Sequence, residues 1–231
     1  MRSMVQHTRQ LDFDLREAPR WGGRRAGAGR KRGPNPRDPH RALARLPTLS
    51  ACHVTLKVRR GIPSLRTVKF VREWERSLAA ACERGRFRVA HYSLQSDHIH
   101  LIVEATSHRD LASGMKSIGA RLARAVNRIF GRCGAVLADR YHLHVLRTPR
   151  EVRNALAYVL LNARRHLAKL GQRLPRTPLV DPASSGRWFD GWKRGVQPPS
   201  VDTPSVAPVR TWLLGVAWRR HGLIDLEEVR G

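Results

Sequence analysis

Acidic residues are scarce in this chain: 18 Asp and Glu stand against 44 Lys and Arg in 231 residues, a formal net charge of +26. An excess of that size points to a polyanionic partner. Charge alone supplies affinity and no chemistry. Cysteine is sparse too. Cys52, Cys82 and Cys133 are scattered with no Cys-x-x-Cys pair, which argues against a zinc ribbon or a disulfide framework and predicts buried, reduced thiols. Long apolar runs are missing, and the N-terminus has no apolar signal core, so a soluble, cytoplasmic protein associated with the nucleoid is expected. Nucleic acid then fits the charge better than a membrane, which would want an amphipathic helix or an anchor. Lysine is also rare: Lys31, Lys57, Lys69, Lys116, Lys169 and Lys193 are the only ones, and the arginine that replaces it suits bidentate phosphate contact.

The length allows one substantial core with tails. Residues 1–49 read as a flexible basic arm, glycine-rich around Trp21–Pro34, in which Arg24, Arg25, Arg30, Lys31 and Arg32 are candidate DNA contacts. Residues 50–171 read as the folded domain. Cys52–Arg59 alternates as a strand, and Gly61, Pro63 and Ser64 mark a turn. Leu65–Arg84 predicts a helix with Gly85 as its C-cap. Phe87–Leu94 predicts a second strand, and Gln95-Ser96-Asp97 turns it into an antiparallel third. Leu111, Met115, Ile118, Leu122, Val126 and Ile129 form the apolar stripe of a helix. Lys116, Arg121, Arg124 and Arg128 lie off that stripe, and the first three are candidate DNA contacts or simply a solvated basic face. Gly131 and Gly134 end the helix, and Ala135–Arg147 alternates as one or two short strands.

Two histidine pairs stand out. In Ser96-Asp97-His98-Ile99-His100-Leu101-Ile102-Val103-Glu104 the two imidazoles sit two apart on a strand and so share a face, where they could bind a divalent metal. His142 and His144 repeat the pattern and are a rival by the same geometry. The first pair is preferred because it runs into an apolar strand that would sit centrally, whereas the second lies between Arg140 and Arg147 as on an edge.

Thr148-Pro149-Arg150-Glu151 then carries the marks of a helix start: a capping threonine, proline at the first position and a glutamate closing a capping box. That helix is predicted to run to about Leu170. Val152, Leu156, Val159, Leu160, Ala163 and Leu167 form its buried stripe, and Glu151, Asn154, Tyr158, Asn162 and Arg165 a polar one. A tyrosine in the middle of a polar stripe breaks the usual pattern. Its hydroxyl can attack a phosphodiester, but a free pKa near ~10 means it needs a base or a metal-polarised electrophile. Imidazole and amide-oxygen ligands with open positions suit Mg²⁺ or Mn²⁺ better than structural zinc.

Together, His98-Ile99-His100 on a strand and Tyr158 with Asn162 on a later helix resemble the single-tyrosine HUH transposases, which include the insertion-sequence-200-like and REP-associated tyrosine transposases. The resemblance implies that His98, His100 and Asn162 hold the metal and that Tyr158 is the nucleophile. It also implies an α+β fold, a ferredoxin- or RRM-like antiparallel sheet with packed helices. Members commonly carry Pro-Asn before the first histidine and Asn-Pro after the tyrosine, where this chain has Ser96-Asp97 and Asn162-Ala163. The implied activity is nicking and strand transfer of single-stranded, hairpin-bearing DNA through a 5′-phosphotyrosine, by a monomer or a homodimer. Arg165 is a further candidate DNA contact. Two other readings remain: a domesticated protein that binds nucleic acid without cleaving it, and a metal-dependent phosphoesterase that uses water. Residues 172–231 read as a Pro- and Trp-containing extension. Trp188-Phe189-Asp190-Gly191-Trp192 would anchor it to the core or stack on bases, and Thr211–Trp218 forms a short helix.

Overall fold

The computed structural model describes residues 46, 48–169, 180–194, 196 and 203–228. The basic arm with Arg24, Arg25, Arg30, Lys31 and Arg32 lies outside the described residues. In chain order the elements are β1 (Ser50–Lys57), α1 (Val68–Ala79), β2 (Glu83–Arg84), β3 (Phe87–Leu94), β4 (His98–Ala105), α2 (His108–Ile129), β5 (His142–Leu146), α3 (Pro149–Leu160), α4 (Asn162–Lys169) and α5 (Trp212–Gly215). The strands form one five-stranded antiparallel sheet in the order β2-β3-β4-β1-β5. Without the short β2, this is the split β-α-β order of ferredoxin-like folds, with α1 and α2 as the crossovers. The α+β, ferredoxin-like expectation holds.

Strand alternation decides what each face carries. On one face Cys52, Val54, Leu56, Ile99, Leu101 and Val103 pack against the apolar stripes of α1 and α2. On the other, Ala51, Ile102 and Leu146 meet Val152, Leu156 and Val159 of α3. In β3 the alternation changes phase: Phe87 and Val89 join the first face, then Tyr92 and Leu94 do. The register shift between Val89 and His91 leaves Ala90 as the extra residue of a bulge, which is what moves the apolar set by one position.

Several boundaries differ from the sequence reading. Helix α1 starts at Val68, where the Thr67 hydroxyl accepts the Phe70 N–H, and it ends at Ala79 rather than Arg84. Glu83 and Arg84 instead pair with Arg88 and Phe87, so Gly85, at φ +55°, serves a hairpin turn and not a helix cap. A left-handed glycine suits either role; the strand partner decides between them. Between Ala135 and Arg147 only His142–Leu146 forms a strand, with one isolated bridge from Leu137 to Val58. The expected single helix to Leu170 breaks at Leu161 (φ −100°, ψ 8°) into α3 and α4. Val159, Leu160, Leu161 and Asn162 are all buried there, and four successive residues span the whole circumference of a helix. The chain is packed on every side at the break, where no amphipathic stripe could continue. Of the cysteines only Cys52 is buried, and burial pushes its thiol up to about 12; Cys82 is half-buried and Cys133 exposed.

The C-terminal extension completes the α3 face. Phe189, Trp192, Trp218 and Ile224 are buried in the same cluster as α3, so the aromatic segment anchors the chain. Polar contacts fasten it further. Arg66 grips Asp181 through two bonds of 2.8 and 2.9 Å, and Arg153 grips Glu228 at 2.7 and 2.5 Å. The fully buried Glu104 carboxylate accepts the backbone N–H groups of Arg210 and Thr211 at the start of α5, the shortest at 2.7 Å. Among the described residues no helix is long and apolar enough to cross a membrane.

Candidate active site

The face of the sheet under α3 is apolar only in part; towards one end of the strands it becomes a field of imidazoles. In the β4–β1–β5 register, His100 stands opposite Thr55 and Thr55 opposite His142, while the next row runs from Ile102 to His53 to His144. The two histidine pairs therefore share one face, with His53 of β1 between them. They differ in setting as expected. β4 is an interior strand and His100 is buried; β5 is an edge strand on which His142 and His144 are exposed.

His98 and His100 face each other, with their Nε2 atoms 3.1 Å apart. Each ring is held from behind. His98 Nδ1 lies 2.7 Å from Asp97 Oδ1, and this contact, with Lys57 nearby, holds the Asp97 carboxyl below its usual range. His100 Nδ1 lies 3.1 Å from Thr55 Oγ1 and 3.2 Å from His53 Nε2. Burial, reinforced by the neighbouring His144, pushes the His53 pKa down to about 4, so that ring is neutral at pH 7. A neutral His53 Nε2 can accept the Nδ1–H of His100, and with Nδ1–H on His98 donating to Asp97 both facing Nε2 atoms carry lone pairs. Two imidazole ligands ~2.1 Å from one ion and at right angles stand about 3.0 Å apart, so the observed spacing suits a shared divalent cation. Among the described residues no three His, Cys, Asp or Glu side chains converge as a metal site, so such an ion would need a donor of another type.

Helix α3 brings Tyr158 to this cluster. The capping box is formed as expected: Thr148 Oγ1 accepts the Glu151 N–H, and the Glu151 carboxylate accepts the Thr148 N–H. From that start, Val152, Leu156 and Val159 face the sheet and Tyr158 falls on the helix border. Its ring lies 5.1 Å from the His100 ring and 5.7 Å from the His53 ring, both edge-on. Tyr158 keeps 39% of its surface exposed, so its ring is fixed against the histidines while its side chain remains open to a ligand. The Arg165 guanidinium sits over the ring, 5.2 Å from its centre. Tyr158, His53, His144, Asn154 and Arg165 are among the residues that line a cleft of about 600 Å³.

Asn162 does not lie on the exposed polar stripe expected for it. The helix break leaves it 2% exposed at the first position of α4, with a buried Oδ1 that has no hydrogen-bond partner. The candidate DNA contacts separate as well. Lys116, Arg121 and Arg124 are on α2, across the sheet from the histidines, and Arg121 donates to the Ser77 carbonyl of α1. Arg165 alone among the described candidates reaches the cleft. The sequence reading took His53 only as part of a strand. Its two-residue spacing from Thr55 put both on the polar side of β1, a signal that gains meaning once β1 is known to lie beside β4.

A family described as "Transposase IS200 like" matches residues 52–158. No curated protein matches the chain significantly. Solved structures that resemble it include two at low identity. A REP-associated tyrosine transposase bound to a REP hairpin is 17% identical, with a TM-score of 0.47, over 71% of this chain and 94% of that one. A bacterial tRNA(His) guanylyltransferase-like protein in complex with GTP is 15% identical, with a TM-score of 0.37, over 57% of this chain and 74% of that one. The family match spans the four main strands and ends on the tyrosine that stands against the paired histidines; over residues 52–158 the chain is similar to the IS200-like transposases.

Proposed function

We propose that this chain is a transposase that cleaves and rejoins single-stranded DNA with Tyr158 as nucleophile and a divalent ion, Mg²⁺ or Mn²⁺, held by His98, His100 and Asn162. The observation that carries the reading is the half-exposed Tyr158 side chain at the cleft, its ring 5.1 Å from that of His100. The donor chemistry suits such an ion: two Nε2 atoms face each other at 3.1 Å, and Asn162, four residues after Tyr158 at the start of α4, has a buried amide oxygen without a partner. When bound, the ion supplies Lewis-acid polarisation of the scissile phosphate. His98 and His100 orient it, each steadied through Nδ1.

Tyr158 Oη forms a bond to phosphorus as the bond from phosphorus to the 3′ oxygen breaks. The phenolic proton passes to solvent or a nearby base, and the departing oxygen gains one to become a 3′-hydroxyl. The 5′-phosphotyrosine retains the bond energy, so a second 3′-hydroxyl can attack it and release Tyr158 without ATP. His100 and Tyr158 of one chain touch, which supports a site assembled within a monomer, or within each protomer of a homodimer. Hairpin-bearing single strands are the proposed substrate, and the net charge of +26 supports a polyanion as the partner.

The test is covalent capture on 5′- and 3′-labelled hairpin oligonucleotides with Mn²⁺. Wild-type protein is expected to give an adduct that resists denaturant and a free 3′-hydroxyl, and Tyr158→Phe is expected to give neither. An adduct with Tyr158→Phe would overturn the nucleophile assignment. A free 5′-phosphate without an adduct would assign water instead.

A further inference from the structure

We infer that His53 is a positioning residue that holds both halves of the site at once, the ligand His100 and the nucleophile Tyr158. The inference rests on the reading that His98 and His100 bind the ion. His53 belongs to β1, a different strand from the histidine pair, and its contacts point both ways. Its Nε2 is 3.2 Å from His100 Nδ1, with the two rings 5.2 Å apart, and its ring also meets the Tyr158 ring at 5.7 Å, edge-on. The β1–β4 register makes this arrangement rigid, because Thr55 stands opposite His100 and His53 lies on the same face two residues along. His100 Nδ1 thus meets Thr55 Oγ1 at 3.1 Å and His53 Nε2 at 3.2 Å. Both partners can accept a hydrogen bond, and with the His100 proton on Nδ1 between them the lone pair falls on the Nε2 that faces His98.

Asp97 performs the corresponding task for His98, but from an exposed turn and through a carboxylate. His53 uses a ring nitrogen within the sheet and adds a wall against which the Tyr158 ring rests. Removing it should release the tautomer of His100 and the tilt of Tyr158 together. Outer-shell partners of a metal-bound histidine typically change metal affinity about 10–100-fold when lost.

The experiment measures Mn²⁺ binding by electron paramagnetic resonance in the absence of DNA, with single-strand binding in EDTA as a separate readout. The proteins are full-length wild type, His53→Phe, His53→Gln, Thr55→Val and His98→Ala. His53→Phe is expected to weaken Mn²⁺ binding about 10-fold or more, a larger factor than any loss in single-strand binding in EDTA. His53→Gln, which keeps an acceptor oxygen near the same place, is expected to restore most of the affinity, an effect that a purely packing role would not produce. Wild-type Mn²⁺ affinity in His53→Phe, or equal losses in His53→Phe and His53→Gln, overturns the inference. If His98→Ala binds Mn²⁺ as wild type does, the metal assignment itself fails, and this inference falls with it. Should His53→Phe not fold, His53→Gln against Thr55→Val decides: the inference requires near-wild-type affinity in the first and a loss in the second.

Discussion

At the scale of single residues, burial holds two histidines neutral at pH 7, the buried His91 and the half-buried His53, and the charge of Asp190 offsets this only in part at His91. Burial pushes the pKa of His91, packed edge-on against Phe189, down to about 4, and His53 is lowered to about 4 by burial and His144. The unfolded chain takes up a proton on each near the ordinary value of 6.5, whereas the folded protein resists until about 4. Stability is therefore full above about pH 6.5 and is lost as pH falls towards 4, by up to about 3 kcal/mol for each histidine. His91 packs on Ser185 and Phe189 rather than on a proposed ligand and so isolates the effect. Urea midpoints taken between pH 7 and pH 4.5 are expected to fall less steeply for His91→Leu than for wild type. Identical slopes would show that His91 charges freely in the folded protein.

At the scale of elements, the packing of α2 on β3 depends on a position with no side chain. A Cβ at Gly114 would lie 2.2 Å from the Phe87 ring, so the helix can approach the strand this closely only with glycine there. The propensity gain of Gly→Ala in a helix, about 1 kcal/mol, is opposed by overpacking, typically about 1–3 kcal/mol. Gly114→Ala is accordingly expected to destabilise the protein in urea, and the loss is expected to shrink in the Phe87→Leu background. A stabilised Gly114→Ala would mean that the helix shifts without cost. Elements are also where the sequence was read with most and least success. The histidine strand, the stripe of α2 and the capping box of α3 are local patterns, each set by side-chain period or by backbone groups a few residues apart. The end of α1 is set by a hairpin partner only three to five residues further on, which the helix-forming composition of Leu65–Arg84 hides, whereas the break at Leu161 is not local, because the packing around Val159–Asn162 comes from distant segments.

For the whole molecule, the extension is part of the core rather than an appendage. Trp218, Trp192 and Phe189 cover α3, Glu104 caps the start of α5 from inside the sheet, and the Arg66–Asp181 and Arg153–Glu228 pairs fasten the rim. A chain ending at Lys169 would expose that apolar face and leave Glu104 and Arg153 without those partners. It is expected to lose its near-ultraviolet circular dichroism and to aggregate, as measured by light scattering. A soluble, cooperatively unfolding truncation would contradict this. The same packing closes most of the α3 face and leaves open the cleft at Tyr158.

By itself, the sequence determined the periodicities, the strongly positive charge and the pairing of His98 with His100 on one strand face, all of which depend on composition or on neighbours within a helical turn or a strand. It also marked Tyr158 and Asn162 as unusual, because a polar stripe can be read from spacing alone. Only the tertiary structure decided that both histidine pairs share a face, that His53 stands between them, that Asn162 is buried and that Arg121 faces the far side of the sheet. The reason lies in the antiparallel order that places β1 between β4 and β5: residues 45 or more apart in the chain become neighbours through hydrogen-bond register, and no local pattern encodes which strand lies beside which.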